Sequence, residues 1–198
     1  LESHKKGLKG ITVYRDGSRS GVLVSESIKE GFQTHDAPKR PKELKGEAFN
    51  TKVKGVLYSV IVGLFDDKPY EVFITQSNIK GEGLIIKQKS GDYDFIQVSD
   101  SNSTHKVLTD GMTDEQAAIT RLISTSLRHG ADIKFIVEQL GKTEGDLFSF
   151  TKGLARVLKK YIPNGEKSTI KCNDCGSDNV IFEEGCSKCL DCGSSKCS

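Results

Sequence analysis

The first 171 residues of this 198-residue chain contain no cysteine, and no stretch approaches the roughly 18 consecutive apolar residues of a membrane span. The N-terminus, LESHKKG, is charged and has no signal-like apolar run. Nor is there a strong charge of either sign: 29 basic against 27 acidic residues leave a formal net charge of +2, too little for a global field that gathers nucleic acid. With 35% hydrophobic and 28% charged residues, the composition is that of a soluble globular protein, and a cytoplasmic location is expected. The chain begins on Leu1, as a split, processed or truncated piece of something longer would.

What the chain does have is six cysteines in its last 27 residues: Cys172, Cys175, Cys186, Cys189, Cys192 and Cys197. In a reducing compartment such crowding favours metal binding or redox chemistry over a structural disulfide framework.

Ahead of the cysteines the pattern is α+β, a small antiparallel sheet followed by a helical segment. GITVYR (Gly10 to Arg15) has strand composition and is followed by the turn residues DGSRSG. Residues 25–46 are polar, carry Pro38 and Pro41, and are expected to be a linker. Lys39, Arg40, Lys42, Lys45, Lys52 and Lys54 give its end a basic face, either solvated or a docking strip for an acidic partner. VLYSVIVGLF and YEVFITQ flank the turn DDKP as a hairpin, and GLIIKQKSGDYDFIQV repeats the theme around SGD.

The period changes at Met112. Thr113 and Gln116 form a capping box for a helix that Gly130 stops, Asp132 caps a second helix ending at Gly141, and a third runs from Phe150 to Ile162 before PNG. No internal repeat is evident. The four histidines, His4, His35, His105 and His129, are scattered without partners and are expected to have no catalytic role.

CNDC and CSKC, ten residues apart, are two CxxC pairs that can supply the four soft ligands of tetrahedral zinc. The expected metal set is Cys172, Cys175, Cys186 and Cys189 in a zinc-ribbon-like tail. Cys186, Cys189 and Cys192 are evenly spaced, however, and spacing alone does not decide which two bind. Cys192 and Cys197 then remain, in CGSSKC, as alternative ligands or as an exposed dithiol suited to thiol exchange, with Lys196 favouring the thiolate. Residues 172–198 hold two lysines against five acids and one aromatic, Phe182, so direct nucleic-acid binding is disfavoured.

Several stretches resemble one family. GLKGITVYRDGSR (Gly7 to Arg19) is similar to the segment closing the catalytic barrel of adenosylcobalamin-dependent, class II, ribonucleotide reductases, and GCSKCLDCGSSKC to their C-terminal cysteine motif. RPKELKG, LYSVIVGLFDDKPYEVFI and AAITRLISTSLRHGADIKFIVEQL resemble their TSCPD-type accessory domain, although GKTEGDLFSF, after EQL, lacks the cysteine and proline of its name motif. Thr12 and Val13 stand where the diiron-tyrosyl class carries two relay tyrosines, which fits a locally generated radical.

The resemblance implies five parts. Residues 1–24 are a remnant of the barrel, 25–46 a linker, 47–162 the accessory domain, 163–171 a hinge, and 172–198 a zinc and redox tail. It further implies that Cys192 and Cys197 are a shuttle pair that re-reduces the active-site disulfide and is recycled by thioredoxin or a similar reductant. The hinge, PNGEKST, would span on the order of 15 Å. The complete enzyme would convert ribonucleotides to deoxyribonucleotides for DNA synthesis and repair, with adenosylcobalamin as cofactor. With no cysteine before residue 172, the radical and reducing thiols must come from a separate barrel portion. The rival readings are a stand-alone zinc-ribbon module docking a protein or nucleic acid and, more weakly, an independent thiol oxidoreductase.

Overall fold

Alternation of apolar and polar residues in ELKGEAFNTKV and an almost unbroken β-branched run in VLYSVIVGLF begin an antiparallel sheet in the computed structural model. Its described residues are 5–7, 36–97, 104–105 and 112–197. The chain divides into two units, Leu1–Thr34 and His35–Ser198. The GITVYR segment, the remainder of the barrel remnant apart from 5–7, and the first part of the linker lie outside the described residues.

The strands are β1 (Glu43–Val53), β2 (Val56–Phe65), β3 (Lys68–Thr75), β4 (Gly81–Lys87), β5 (Tyr93–Gln97) and the two-residue β6 (Thr104–His105). All pairings are antiparallel, in the order β3-β2-β1-β4-β5-β6. β1 begins at Glu43, inside the stretch expected to be linker. Leu44, Gly46 and Ala48 alternate inward there, and β1 pairs with both β2 and β4, which outweighs the polar composition.

The β1–β2 and β2–β3 hairpins turn through consecutive positive-φ residues, Lys54-Gly55 and Asp66-Asp67. That geometry suits the right-handed twist of paired strands.

Three helices follow. α1 (Asp114–Arg128) starts on the expected Thr113–Gln116 capping box, α2 (Ile133–Lys142) on Asp132, and α3 (Phe150–Leu158) continues into a 3-10 turn, Lys159–Tyr161. α2 runs one residue past Gly141. Ile123 and Leu127 of α1, Val137 and Leu140 of α2, and Leu154, Val157 and Leu158 of α3 bury against Tyr58, Val60, Val62, Leu64, Val72 and Ile74 of the sheet. The exposed edge of β3 is covered by α1, where the Val72 N–H donates to the Ser124 hydroxyl at 2.9 Å. A capped edge of this kind cannot recruit another strand.

The other sheet face holds a second cluster: Ala48, Ile61, Phe73, Ile79, Ile85 and Phe95. Gly83, Gly46 and Gly63 stand side by side on β4, β1 and β2, and Glu71 of β3 continues their row. A Cβ on Gly46 would lie 2.8 Å from Ile85 Cγ1, and one on Gly63 2.7 Å from Glu71 Cγ. These missing side chains let Ile85 and Glu71 lie against the sheet itself.

The last three strands, β7 (Val180–Glu183), β8 (Cys186–Cys189) and β9 (Ser195–Lys196), make a separate antiparallel sheet with β8 in the middle. Phe182 from β7 is 2% exposed and belongs to the helix-side core. No helix among the described residues is long and apolar enough to cross a membrane.

Candidate metal centre

Two hexapeptides, CNDCGS (172–177) and CLDCGS (189–194), adopt the same turn. In the first, Cys172 N–H donates to Ser177 O at 2.8 Å and Gly176 N–H to Cys172 O at 2.9 Å. In the second, Cys189 N–H donates to Ser194 O at 2.8 Å and Gly193 N–H to Cys189 O at 3.0 Å. Gly176 and Gly193 both have φ of +75°, a conformation glycine adopts at little cost. The turns also bind each other, since the Ser177 hydroxyl donates to the Asp191 carboxylate and the Ser194 hydroxyl to that of Asp174. Asn179 adds a bond to Asp191 at 2.8 Å.

This pairing brings the sulfurs of Cys172, Cys175, Cys189 and Cys192 within 4.8 Å of one another. Across the two turns, Cys172 and Cys192 are 3.7 Å apart and Cys175 and Cys189 3.6 Å. A tetrahedron with metal–sulfur bonds of about 2.3 Å has edges of roughly 3.8 Å, so the four thiols fit a zinc ion. The N–H groups of Cys192 and Asp191 are directed at the Cys189 sulfur and bring its thiol down to about 7. The Ser177 N–H likewise favours the Cys175 thiolate, but the crowding thiols of Cys192, Cys189 and Cys172 push it up to about 12. Four sulfurs that cannot all ionise together invite a cation to take the place of the protons.

Cys186 and Cys197 lie outside this cluster and form a disulfide, with Cα atoms 4.4 Å apart. Cys197 is exposed and Cys186 half-buried. The structure therefore groups the sulfurs differently from the expected division: Cys192 lies in the four-thiol cluster, and Cys186 is bonded to Cys197. The reason is backbone conformation. CSKC is not a turn but the extended strand β8, in which three steps of about 3.3 Å carry the first and last sulfurs well apart. The tight turn before Cys186 is Glu184-Gly185, with φ of 49° and 75°, and it closes the β7–β8 hairpin instead of a ligand loop. The signal missed in the sequence is the repeat CxDCGS, which singles out Cys189–Cys192 as the second ligand turn.

The segment expected to be a hinge, 163–171, is stitched down at several points. Gly165 N–H donates to Phe182 O, Phe182 N–H to Glu166 O and Ser168 N–H to Val180 O, each at 2.8 Å. Lys134 of α2 pairs with Glu166 at 2.5 Å. One turn on, Glu138, 2% exposed, accepts from the Thr169 N–H at 2.9 Å and from its hydroxyl. The ribbon is thus joined to the helical face by a polar latch as well as by Phe182. Glu138→Ala is expected to cost about 1.5 to 3 kcal/mol, the range of hydrogen bonds to a charged group. Hydrogen exchange checks it, with lost protection concentrated at Ser168, Thr169 and Phe182.

Among the other expected site residues, Arg40 leaves the basic linker face for a buried ion pair with Glu71. His129 caps the end of α1 and does not belong to the four-thiol cluster. His4 and His35 lie outside the described residues.

A sheet backed on one face by three helices, with a four-thiol ribbon latched beside them, defines an α+β domain carrying a candidate metal centre. The family model described as NrdJ homologue C-terminal domain matches residues 44–163, and the chain belongs to that family. The match begins in β1 and ends at Pro163, before the ribbon. No curated protein and no solved structure matches the chain.

Proposed function

We propose that the chain is the C-terminal portion of an adenosylcobalamin-dependent ribonucleotide reductase, and that its ribbon separates structure from electron transfer. Zinc held by Cys172, Cys175, Cys189 and Cys192 maintains the ribbon, while Cys186 and Cys197 cycle between disulfide and dithiol. The observation that carries this reading is the division of six cysteines into a four-thiol cluster and a disulfide that is exposed on its Cys197 side, attached to a domain of the NrdJ family.

Ribonucleotide reduction oxidises two barrel thiols per turnover. The tail pair would return those electrons by exchange and be reduced in turn by thioredoxin or a similar dithiol protein. The pair is Cys186 with Cys197 instead of Cys192 with Cys197, because a sulfur committed to the metal is withheld from exchange. The barrel thiols and the cobalamin site belong to the catalytic portion, since this chain has no cysteine before residue 172.

Zinc assay combined with thiol counting tests the proposal. The oxidised chain is expected to hold one zinc and show no titratable thiol in the absence of chelator, and reduction by thioredoxin is expected to expose two thiols with zinc retained. Six thiols still protected after reduction, or reduction that expels the metal, would contradict it. A ribbon that only docks a partner would cycle no differently after Cys186→Ser with Cys197→Ser.

A further inference from the structure

If Cys186 and Cys197 are an exchange pair, their surroundings differ enough to divide the work between them. We propose, resting on that reading, that Cys197 is the attacking thiol and Cys186 the resolving thiol, in a fixed order.

Cys186 is built into the ribbon through the strand that carries it. It opens β8, the central strand of its sheet, opposite Glu183 of β7. It follows the Glu184-Gly185 turn, and a Cβ on Gly185 would sit 3.8 Å from Lys160 Cγ, so the hairpin end rests against the 3-10 turn after α3. Three residues later the same strand delivers Cys189 to the four-thiol cluster. Moving Cys186 outward means breaking the β7–β8 ladder.

Cys197 has almost none of this support. It follows β9, whose two residues pair only with Ser187 and Lys188, and it is exposed where Cys186 is half-buried. Once the disulfide opens, that short pairing is what retains Ser195–Cys197. The Cys189 and Cys192 ligands stop the loosening at the second turn, leaving an arm of three residues that reaches at most about 10 Å. Thiol exchange requires approach along the axis of the target S–S bond. A narrow arm can make that approach to a recessed disulfide, and a sulfur in the middle strand of a sheet cannot. Lys196, which precedes Cys197 in the chain, gives the released arm a cation.

The electrons balance over two exchanges. The Cys197 thiolate forms a bond to one sulfur of the target disulfide, and the other target sulfur leaves as a thiolate and takes up a proton. The Cys186 thiolate then attacks Cys197 Sγ and breaks the mixed disulfide. The second target thiolate is released and protonated, and the Cys186–Cys197 bond is restored. Two electrons and two protons pass to the target, and a dithiol reductant resets the pair.

The test uses the full, zinc-loaded, reduced chain with glutathione disulfide as the target. Cys186→Ser is expected to form a lasting mixed disulfide on Cys197 at close to the wild-type initial rate, while Cys197→Ser reacts about tenfold more slowly. Acid quenching of the wild-type reaction, followed by peptide mass mapping, provides a measurement independent of any variant and should find the early glutathione adduct on Cys197. An early adduct on Cys186, or equal rates in the two variants, would reverse or abolish the assignment. If wild type forms neither an adduct nor the Cys186–Cys197 disulfide while retaining zinc, the exchange reading itself fails and takes the division of roles with it.

Discussion

Replacing any one of Cys172, Cys175, Cys189 or Cys192 by serine is expected to abolish stoichiometric zinc binding and release the whole ribbon. The segment cannot hold itself together without metal. Of its apolar side chains, Val180 and Phe182 are buried, and Phe182 is spent on the helix-side core of the domain. Structural zinc in peptides of similar size contributes roughly 10 to 16 kcal/mol of apparent binding energy, far more than the short β7–β8–β9 ladder supplies. Release would also be felt beyond the ribbon, because Phe182 fills the helix-side core and emptying such a site costs about 3 to 5 kcal/mol. Cys186→Ser and Cys197→Ser should keep their zinc and their melting temperature more nearly intact. Metal content and hydrogen exchange across Val180–Glu183 and Cys186–Cys189 distinguish the two groups. Zinc retained in Cys192→Ser but lost in Cys186→Ser would restore the division first suggested by the CxxC spacing.

That reversal shows what spacing can and cannot convey. Two thiols separated by two residues meet at a metal only if the backbone between them turns, and turning is announced by the residue that follows. Gly176 and Gly193, each at φ of +75°, follow Cys175 and Cys192. Cys189 is followed by Leu190, in a sequence that starts as a strand. The hairpins and helix caps were legible for the same reason: Asp66-Asp67, Thr113 with Gln116, and Asp132 are local instructions whose geometry is contained in a few residues.

What the sequence did not display is held by partners far along the chain. β1 looked like linker at Glu43 because its pairing with β2 and β4 is invisible in its own composition. The 163–171 segment looked like a hinge because PNGEKST is polar, yet its polar groups are consumed by Lys134 and Glu138, about thirty residues earlier. A polar segment is flexible only when its hydrogen bonds go to water, and local composition does not reveal where they go.

The largest effect expected inside the sheet comes from Glu71. Its side chain lies over Gly63 and is fully buried, with the carboxylate 2.6 Å from Arg40 Nη2 and 2.7 Å from Arg128 Nη2. The two guanidinium groups are packed on aromatic rings, Arg40 over Tyr93 and Arg128 over Tyr70, both at 5.1 Å. One carboxylate therefore ties the segment before β1 to the edge strand and to the end of α1. Glu71→Ala removes the anion and leaves two facing cations, one of them with only 9% of its side chain exposed. Breaking a buried pair in this way costs about 3 to 5 kcal/mol, a large share of the roughly 5 to 15 kcal/mol that stabilises a typical domain. The same physics predicts that Arg40→Leu, Glu71→Met and Arg128→Leu combined should be less damaging than Glu71→Ala alone, because no charge is then left without a partner. Urea titration of the two variants checks the order. A single variant within about 1 kcal/mol of wild type, the value of a surface pair, would mean that the triad is not the tie between these three elements.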